Sequence, residues 1–117
     1  MMKSFSLFLL FSLLLLFICN AGAISGGWKP IGDLQDPHII DIAKFAVDEH
    51  NKEATSQLRL VSVVKGETQV VAGINYRIVL KAGVPGAKVN VYEAVVWEKT
   101  WEKFRKLVSF DLRWTQN

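Results

Sequence analysis

The side chains that usually carry chemistry are sparse in this chain and poorly placed for it. His38 and His50 stand near opposite ends of one amphipathic stretch, too far apart along a helix to form a ligand pair, and the only cysteine, Cys19, lies in an apolar leader. Asp41, Asp48 and Glu49 alternate with Lys44 and Lys52 at the spacings of helix-surface ion pairs, which accounts for them without acid–base work. No G-x-S-x-G elbow, phosphate-binding loop or H-E-x-x-H pair occurs. The chain is therefore not expected to be an enzyme, and no metal or cofactor is expected.

What remains is contact chemistry. Leu58 to Lys81, LRLVSVVKGETQVVAGINYRIVLK, holds two strand-like apolar runs with no helix-length segment between them, the pattern of an antiparallel hairpin. Periodicity leaves two places for its reversal. With the turn at Lys65-Gly66-Glu67, Val70 and Val71 merely begin the return strand. With the turn at Gln69-Val70-Val71-Ala72-Gly73, two valines stand at a tip where polar residues normally satisfy their own backbone. Apolar tip residues are poorly explained by local folding and point to a partner. Lys99-Thr100-Trp101-Glu102-Lys103 is a second connection, one full hairpin further on, so in a meander both project from the same end. Gly26-Gly27 reaches that end if the N-terminal chain runs beside the sheet. Val70, Val71 and Trp101 would then form an apolar wedge suited to a cleft.

The elements that must position this wedge are legible in order. Gly26-Gly27, Trp28, Lys29-Pro30 and Gly32 read as a loose start followed by an extended segment, with Trp28 as its core anchor. Asp36-Pro37 is a helix start, Asp36 as N-cap and Pro37 at the first helical position. Ile39, Ile42, Ala43, Ala46, Val47 and Ala54 then recur near a 3.6-residue period, so a helix is expected from about Pro37 to Glu53, with small Ala43 and Ala46 allowing close approach to a sheet. Leu58, Leu60, Val61, Val63 and Val64 break strict alternation, which predicts a bulge or a strand covered on both faces. Ile74, Tyr76, Ile78 and Leu80 alternate with Asn75, Arg77 and Lys81, predicting one buried and one wet face. Gly83-Val84-Pro85-Gly86 is a turn, Lys88 to Glu98 a third strand, and Phe104, Lys106, Val108, Phe110, Leu112 and Trp114 a final strand on one parity. An extended N-terminus, one long helix and four antiparallel strands pack most economically as a meander curled around the helix.

Lys3, the apolar run from Phe5 to Ile18 and the Ala21-Gly22-Ala23 exit read as a signal peptide cleaved after Ala23, so a secreted protein with no membrane segment after cleavage is expected. Removing residues 1–23 from 117 leaves 94, one compact domain over residues 24–117. Without a cysteine, that domain must hold by core packing, which favours a continuous sheet covered by a helix over a disulfide scaffold. Loss of Lys3 lowers the formal charge from +3 to +2, too little for a nucleic-acid footprint, and Glu98 and Glu102 sit among Lys99, Lys103, Arg105 and Lys106.

Four segments in sequence order resemble plant cystatins, reversible inhibitors of papain-like cysteine proteases. Gly26-Gly27-Trp28 is similar to the family's N-terminal glycine region, Ile42 to Asn51 (IAKFAVDEHN) to the helix signature of the plant branch, Gln69 to Gly73 (QVVAG) to the Q-x-V-x-G loop, and Trp101 to the tryptophan of the second loop. The resemblance implies an α+β fold in which one long helix packs on a curved four-stranded antiparallel meander with a short N-terminal strand. It also moves the expected hairpin tip to Val70–Gly73 and leaves Gly66 as a weak point or bulge inside the first strand.

The implied mechanism needs no covalent step. An N-terminal trunk lies over the non-primed subsites of the protease, the first loop approaches the catalytic cysteine, and the second occupies the primed side. The implied protease-binding residues are Gly26, Gly27, Gln69, Val70, Val71, Ala72, Gly73, Thr100 and Trp101, with Gln69 orienting the loop and Val71 filling an apolar gap. Two departures stand out: Thr100 replaces the usual proline before Trp101, and Ser25 precedes the glycines where an apolar residue is common. They predict a less preorganised second loop and modest trunk anchoring. The alternative function is a non-inhibitory protein of this fold that binds another extracellular protein or ligand. A monomer is expected, with a domain-swapped dimer as the alternative.

Overall fold

The computed structural model describes residues 26–115; the expected leader, residues 1–23, and the trunk residues Ile24 and Ser25 lie outside the described residues. The elements are strand β1 (Lys29–Pro30), helix α1 (Pro37–Ala54), and strands β2 (Arg59–Val71), β3 (Gly73–Gly83), β4 (Asn90–Lys99) and β5 (Phe104–Thr115). The strands form one antiparallel sheet in the order β1-β2-β3-β4-β5, a meander with β1 added at its edge. This is the α+β fold expected, with α1 across the concave face.

Helix α1 starts where its chemistry dictates. The Asp36 carboxylate accepts from the His38 amide at 2.9 Å, and Pro37 follows at a position that has no donor to lose. Its end is held by Asn51, whose side chain accepts from the Leu58 amide at 3.0 Å and donates to the Leu58 carbonyl at 2.9 Å. Those two bonds fix the angle at which the chain leaves the helix and begins β2. Ile39, Ile42, Ala43, Ala46 and Val47 bury the helix stripe against Val63, Tyr76, Ile78, Leu80, Ala82, Ala94 and Val96, while Ala54, expected on the same stripe, is exposed at the last residue of the helix. Burying each branched aliphatic side chain contributes about 1.5–3 kcal/mol, so this interface dominates the stability of the domain.

The broken alternation in β2 comes from two bulges. Register slips between Leu60 and Ser62 and between Val63 and Lys65 leave Val61 and Val64 as extra residues, both exposed. Each bulge adds twist and bends the sheet around the helix.

Five details differ from the sequence reading. First, β5 does not keep one parity. Slips opposite Val95/Val96 and Val91/Tyr92 insert Val108 and Arg113, so Phe104 and Lys106 face outward with Trp97 while Leu107 and Phe110 pack inward. Second, Ile74 is 36% exposed at the end of β3 rather than in the core, because the helix does not reach it. Third, the outer face is not wholly wet. Val79 and Val91 are buried there, flanked by their cross-strand partners Lys65 and Glu93, and Lys81 and Trp114. Fourth, Trp28 is outside the core and lies under the Arg77 guanidinium at 4.2 Å, a cation–π contact on the outer face.

The fifth concerns Gly66, which lies in regular pairing with Ile78 and is neither a turn nor a bulge. A Cβ there would stand 2.7 Å from Ile31 Cδ1 and 3.3 Å from Leu34 Cδ2. Ile31 also donates its amide to the Gly66 carbonyl at 2.9 Å. The glycine is what lets the N-terminal chain cross closely over β2.

Candidate functional site

The reversal between β2 and β3 falls at Ala72, with Val71 opposite Gly73 and Val70 opposite Ile74. Gln69 pairs with Asn75, whose side-chain amide donates to Gln69 Oε1 at 3.3 Å, a bond that squares the base of the loop. Val70 is 67% exposed, and Val71 and Ala72 are exposed beside it. Periodicity had left this tip open between two positions; the register places it at the later one.

Gly73 is where the two loops meet. Its φ of +98° is a conformation that side chains rarely adopt, and a Cβ on it would overlap the Glu98 carbonyl oxygen and stand 2.7 Å from Lys99 Cγ. The register pairs Ile74 with Glu98, so the second loop, leaving β4 at Lys99, rises beside the first. Thr100 opens a single 3-10 turn, Thr100–Glu102, closed by the Lys103 amide donating to the Thr100 carbonyl at 3.2 Å. A Lys99–Glu102 ion pair at 3.3 Å spans the same turn. The loop expected to be loose for want of a proline is therefore closed by its own backbone and one charge pair. Trp101 at its centre is 66% exposed.

The N-terminal chain completes the same end. Lys29 pairs with Thr68 and Pro30 with Glu67, so Gly27 and Gly26 continue antiparallel to β2 toward the Val70–Val71 tip. The structure thus brings both loops and the glycine segment to one end of the sheet. It adds Ile74, exposed between them, which alternation alone had assigned to the core.

Beneath the second loop sits a charged cluster that no sequence motif announced. Glu98 is only 7% exposed, yet it is met by His38 Nε2 at 2.7 Å and by Arg105 Nε at 2.8 Å and Nη2 at 2.6 Å. Arg105 Nη1 reaches on to Asp41 at 2.9 Å. A buried carboxylate is tolerated only when so surrounded by donors. Burial alone would lower the Arg105 pKa, but its bonds to Asp41 and Glu98 and their charges prevail and raise it. Burial first, and then the Glu98 charge, push the Tyr76 phenol up. The cluster ties the start of α1 to the ends of β4 and β5 that bear the loop, and it occupies His38; His50 is stacked on Phe110 with ring centroids 4.1 Å apart. An open recess of about 580 Å³ beside it is lined by His38, Phe45, Glu98, Thr100, Lys103, Phe104 and Arg105.

Comparison with known proteins places the chain. A protein from Actinidia chinensis var. chinensis, "Cysteine proteinase inhibitor 1", is 56% identical over 86 residues, spanning 74% of this chain and 73% of its own length. The chain belongs to the plant cystatin family. "Cysteine proteinase inhibitor 5" of Arabidopsis thaliana is 46% identical to this cystatin over 98 residues, covering 84% of this chain and 80% of the relative. Residues 31–112 also match the family model described as "SQAPI: Aspartic acid proteinase inhibitor". Among solved structures, a salivary cystatin of the soft tick Ornithodoros moubata shares the fold at a TM-score of 0.68 and 23% identity, over 75% of this cystatin and 97% of the tick chain. The squash aspartic acid proteinase inhibitor shows a TM-score of 0.58 and 28% identity, over 72% of this chain and 90% of its own.

Proposed function

We propose that this cystatin is a reversible, tight-binding inhibitor of papain-like cysteine proteases, secreted after loss of residues 1–23, which blocks the active-site cleft without a covalent step. The observation that carries the proposal is the convergence of Val70, Val71, Ile74 and Trp101, all exposed, at the end of the sheet where both hairpin loops and the glycine segment meet; the other exposed apolar side chains, Val61, Val64, Val84, Val108, Leu112 and Trp114, are spread over β2, β5 and the far turn. An isolated fold gains nothing from holding a tryptophan and three branched aliphatics in water; a cleft that removes them from water does. Gly73, whose missing side chain lets the second loop pack against the first, keeps the two tips together, and Gly27 lets main chain lie close to the enzyme. Gln69, Ala72 and Thr100 hold the loops that present these contacts, and Gly26 extends the trunk. The N-terminal segment is braced for this role by Trp28 against Arg77 and by Ile31 over Gly66.

A second reading, inhibition of aspartic proteases, is favoured by the family model spanning residues 31–112. The stronger relationship, 56% against 28% identity, is to cysteine proteinase inhibitors, and the first reading stands ahead of it for that reason. Titration of residues 24–117 against papain, pepsin and trypsin separates them. The proposal expects reversible, substrate-competitive inhibition of papain alone at or below micromolar concentration. Inhibition of pepsin without papain would establish the second reading, and inhibition of neither would leave the wedge with a different partner.

A further inference from the structure

Trp97 lies on β4 next to the second loop, and its side chain is turned to the outer face, away from the core. Its indole Nε1–H donates to the carbonyl oxygen of Ala72 at 2.7 Å. Ala72 is the reversal residue of the first loop, so this one bond joins the tip of one hairpin to the body of the next. Regular strand pairing stops short of it, the β3–β4 ladder having its last pair at Ile74 and Glu98.

The ring is held for that task. Phe104 meets it edge-on with centroids 5.2 Å apart, and Lys99 Nζ lies 4.6 Å from its centroid and 4.9 Å from that of Phe104. Lys99 is itself bound to Glu102 of the second loop, and its Cγ lies against Gly73. The ring, the lysine stem and the glycine therefore form one packed unit spanning both loops. A core role does not explain this arrangement, since neither Trp97 nor Phe104 belongs to the core under α1.

We infer that Trp97 is a positioning residue for the wedge, its indole holding the first loop at Ala72 so that both tips are presented to the partner as one preformed surface. Without the bond, the tip from Val70 to Gly73 is an exposed hairpin end that samples other conformations, and ordering it on binding lowers affinity. The affinity consequence rests on the reading of the chain as a cleft-filling inhibitor; the holding of the loop does not.

The test replaces Trp97 with β-(3-benzothienyl)alanine, which keeps the shape of the indole and removes only its N–H, and compares it with the parent and with Trp97→Phe. Amide hydrogen exchange is followed in the free proteins, and association and dissociation rates are measured with papain. Removal of the donor is expected to speed exchange at Val71 to Gly73 while leaving Ile78 to Leu80 unchanged, and to weaken papain binding by roughly 3- to 10-fold, the range for loss of one net hydrogen bond. Both substitutions should agree, and the melting temperature of the isostere should stay with the parent. Unchanged exchange at the tip overturns the inference whatever the inhibition, and faster exchange with unchanged affinity overturns its consequence for binding. If the parent itself fails to inhibit papain, the inhibitor reading falls on that measurement, and the exchange comparison still decides whether the indole holds the loop.

Discussion

Substituting Gly73 by alanine is the sharpest single perturbation of the proposed wedge. At φ +98°, a side chain is strained by about 1–3 kcal/mol before any neighbour is considered. The new methyl would also overlap the Glu98 carbonyl oxygen, against an ordinary C···O separation of at least about 3.3 Å. Because the obstacle is backbone, the two loops must part by roughly 1 Å, at the Ile74–Glu98 end of the ladder. The hairpin can escape part of this by fraying, so stability should fall by only about 1–2 kcal/mol, a melting shift of roughly 4–16 °C in a domain of this size. Binding cannot escape it, since the tip must be restored to enter a cleft, and affinity should fall by about 2–4 kcal/mol, or roughly 30- to 1000-fold. Progress-curve inhibition of papain and a thermal melt measure the two effects. Gly86→Ala is the control: its φ of +83° imposes similar strain in an open turn at the far end of the sheet, so it should lower the melting temperature and spare inhibition. Gly73→Ala inhibiting within threefold of the parent would show that the packing of the two loops at Gly73 does not govern binding.

Trp101→Ala should leave the melting temperature nearly unchanged. About two thirds of a side chain of roughly 250 Å² is available to a partner, about 4 kcal/mol gross, of which 2–3 should survive binding costs, so papain affinity should drop roughly 30- to 200-fold. Gly66→Ala meets the end of the Ile31 side chain rather than backbone; it should cost about 1–3 kcal/mol, loosen β1, and raise the papain dissociation rate, with faster amide exchange at Lys29 to Ile31 as the structural readout. Tyr76 holds its proton to higher pH when folded than when unfolded, so its contribution is fully present below pH 10 and is lost as pH rises through the folded pKa. Thermal melts taken from pH 9 upward should show Tyr76→Phe losing less stability than the parent above pH 10, and equal slopes would contradict the assigned burial and Glu98 repulsion.

Local signals made the scaffold legible. The cap at Asp36-Pro37 and the 3.6-residue stripe located the helix, and disturbed alternation at Leu60-Val61 announced the first β2 bulge. Signals that depend on distant chain were weaker. The hairpin tip could not be chosen by periodicity because valines suit a strand as well as a partner; the Q-x-V-x-G resemblance chose it, and the register agrees. Gly66 invited the wrong explanation because the reason for it, Ile31, lies far away in sequence. In β5 two bulges exchange the faces without changing the composition of the strand, so a single parity from Phe104 to Trp114 was a fair reading of letters and a wrong one of space. Glu98 and Trp97 were invisible for the same cause. One looks like a surface charge until His38 and Arg105 are brought to it, and the other like an ordinary strand aromatic until Ala72 arrives from 25 residues away.

As a cleft-filling inhibitor, the protein enters a protease with one end of its sheet and no other. Hydrogen–deuterium exchange of residues 24–117, free and bound to papain, tests it most directly. New protection is expected at Gly26 to Trp28, Gln69 to Gly73 and Lys99 to Lys103, with none at Thr55 to Gln57 or Val84 to Val89 at the opposite end. Protection centred on the helix or on that opposite end, with the two loops left exchanging freely, would contradict it.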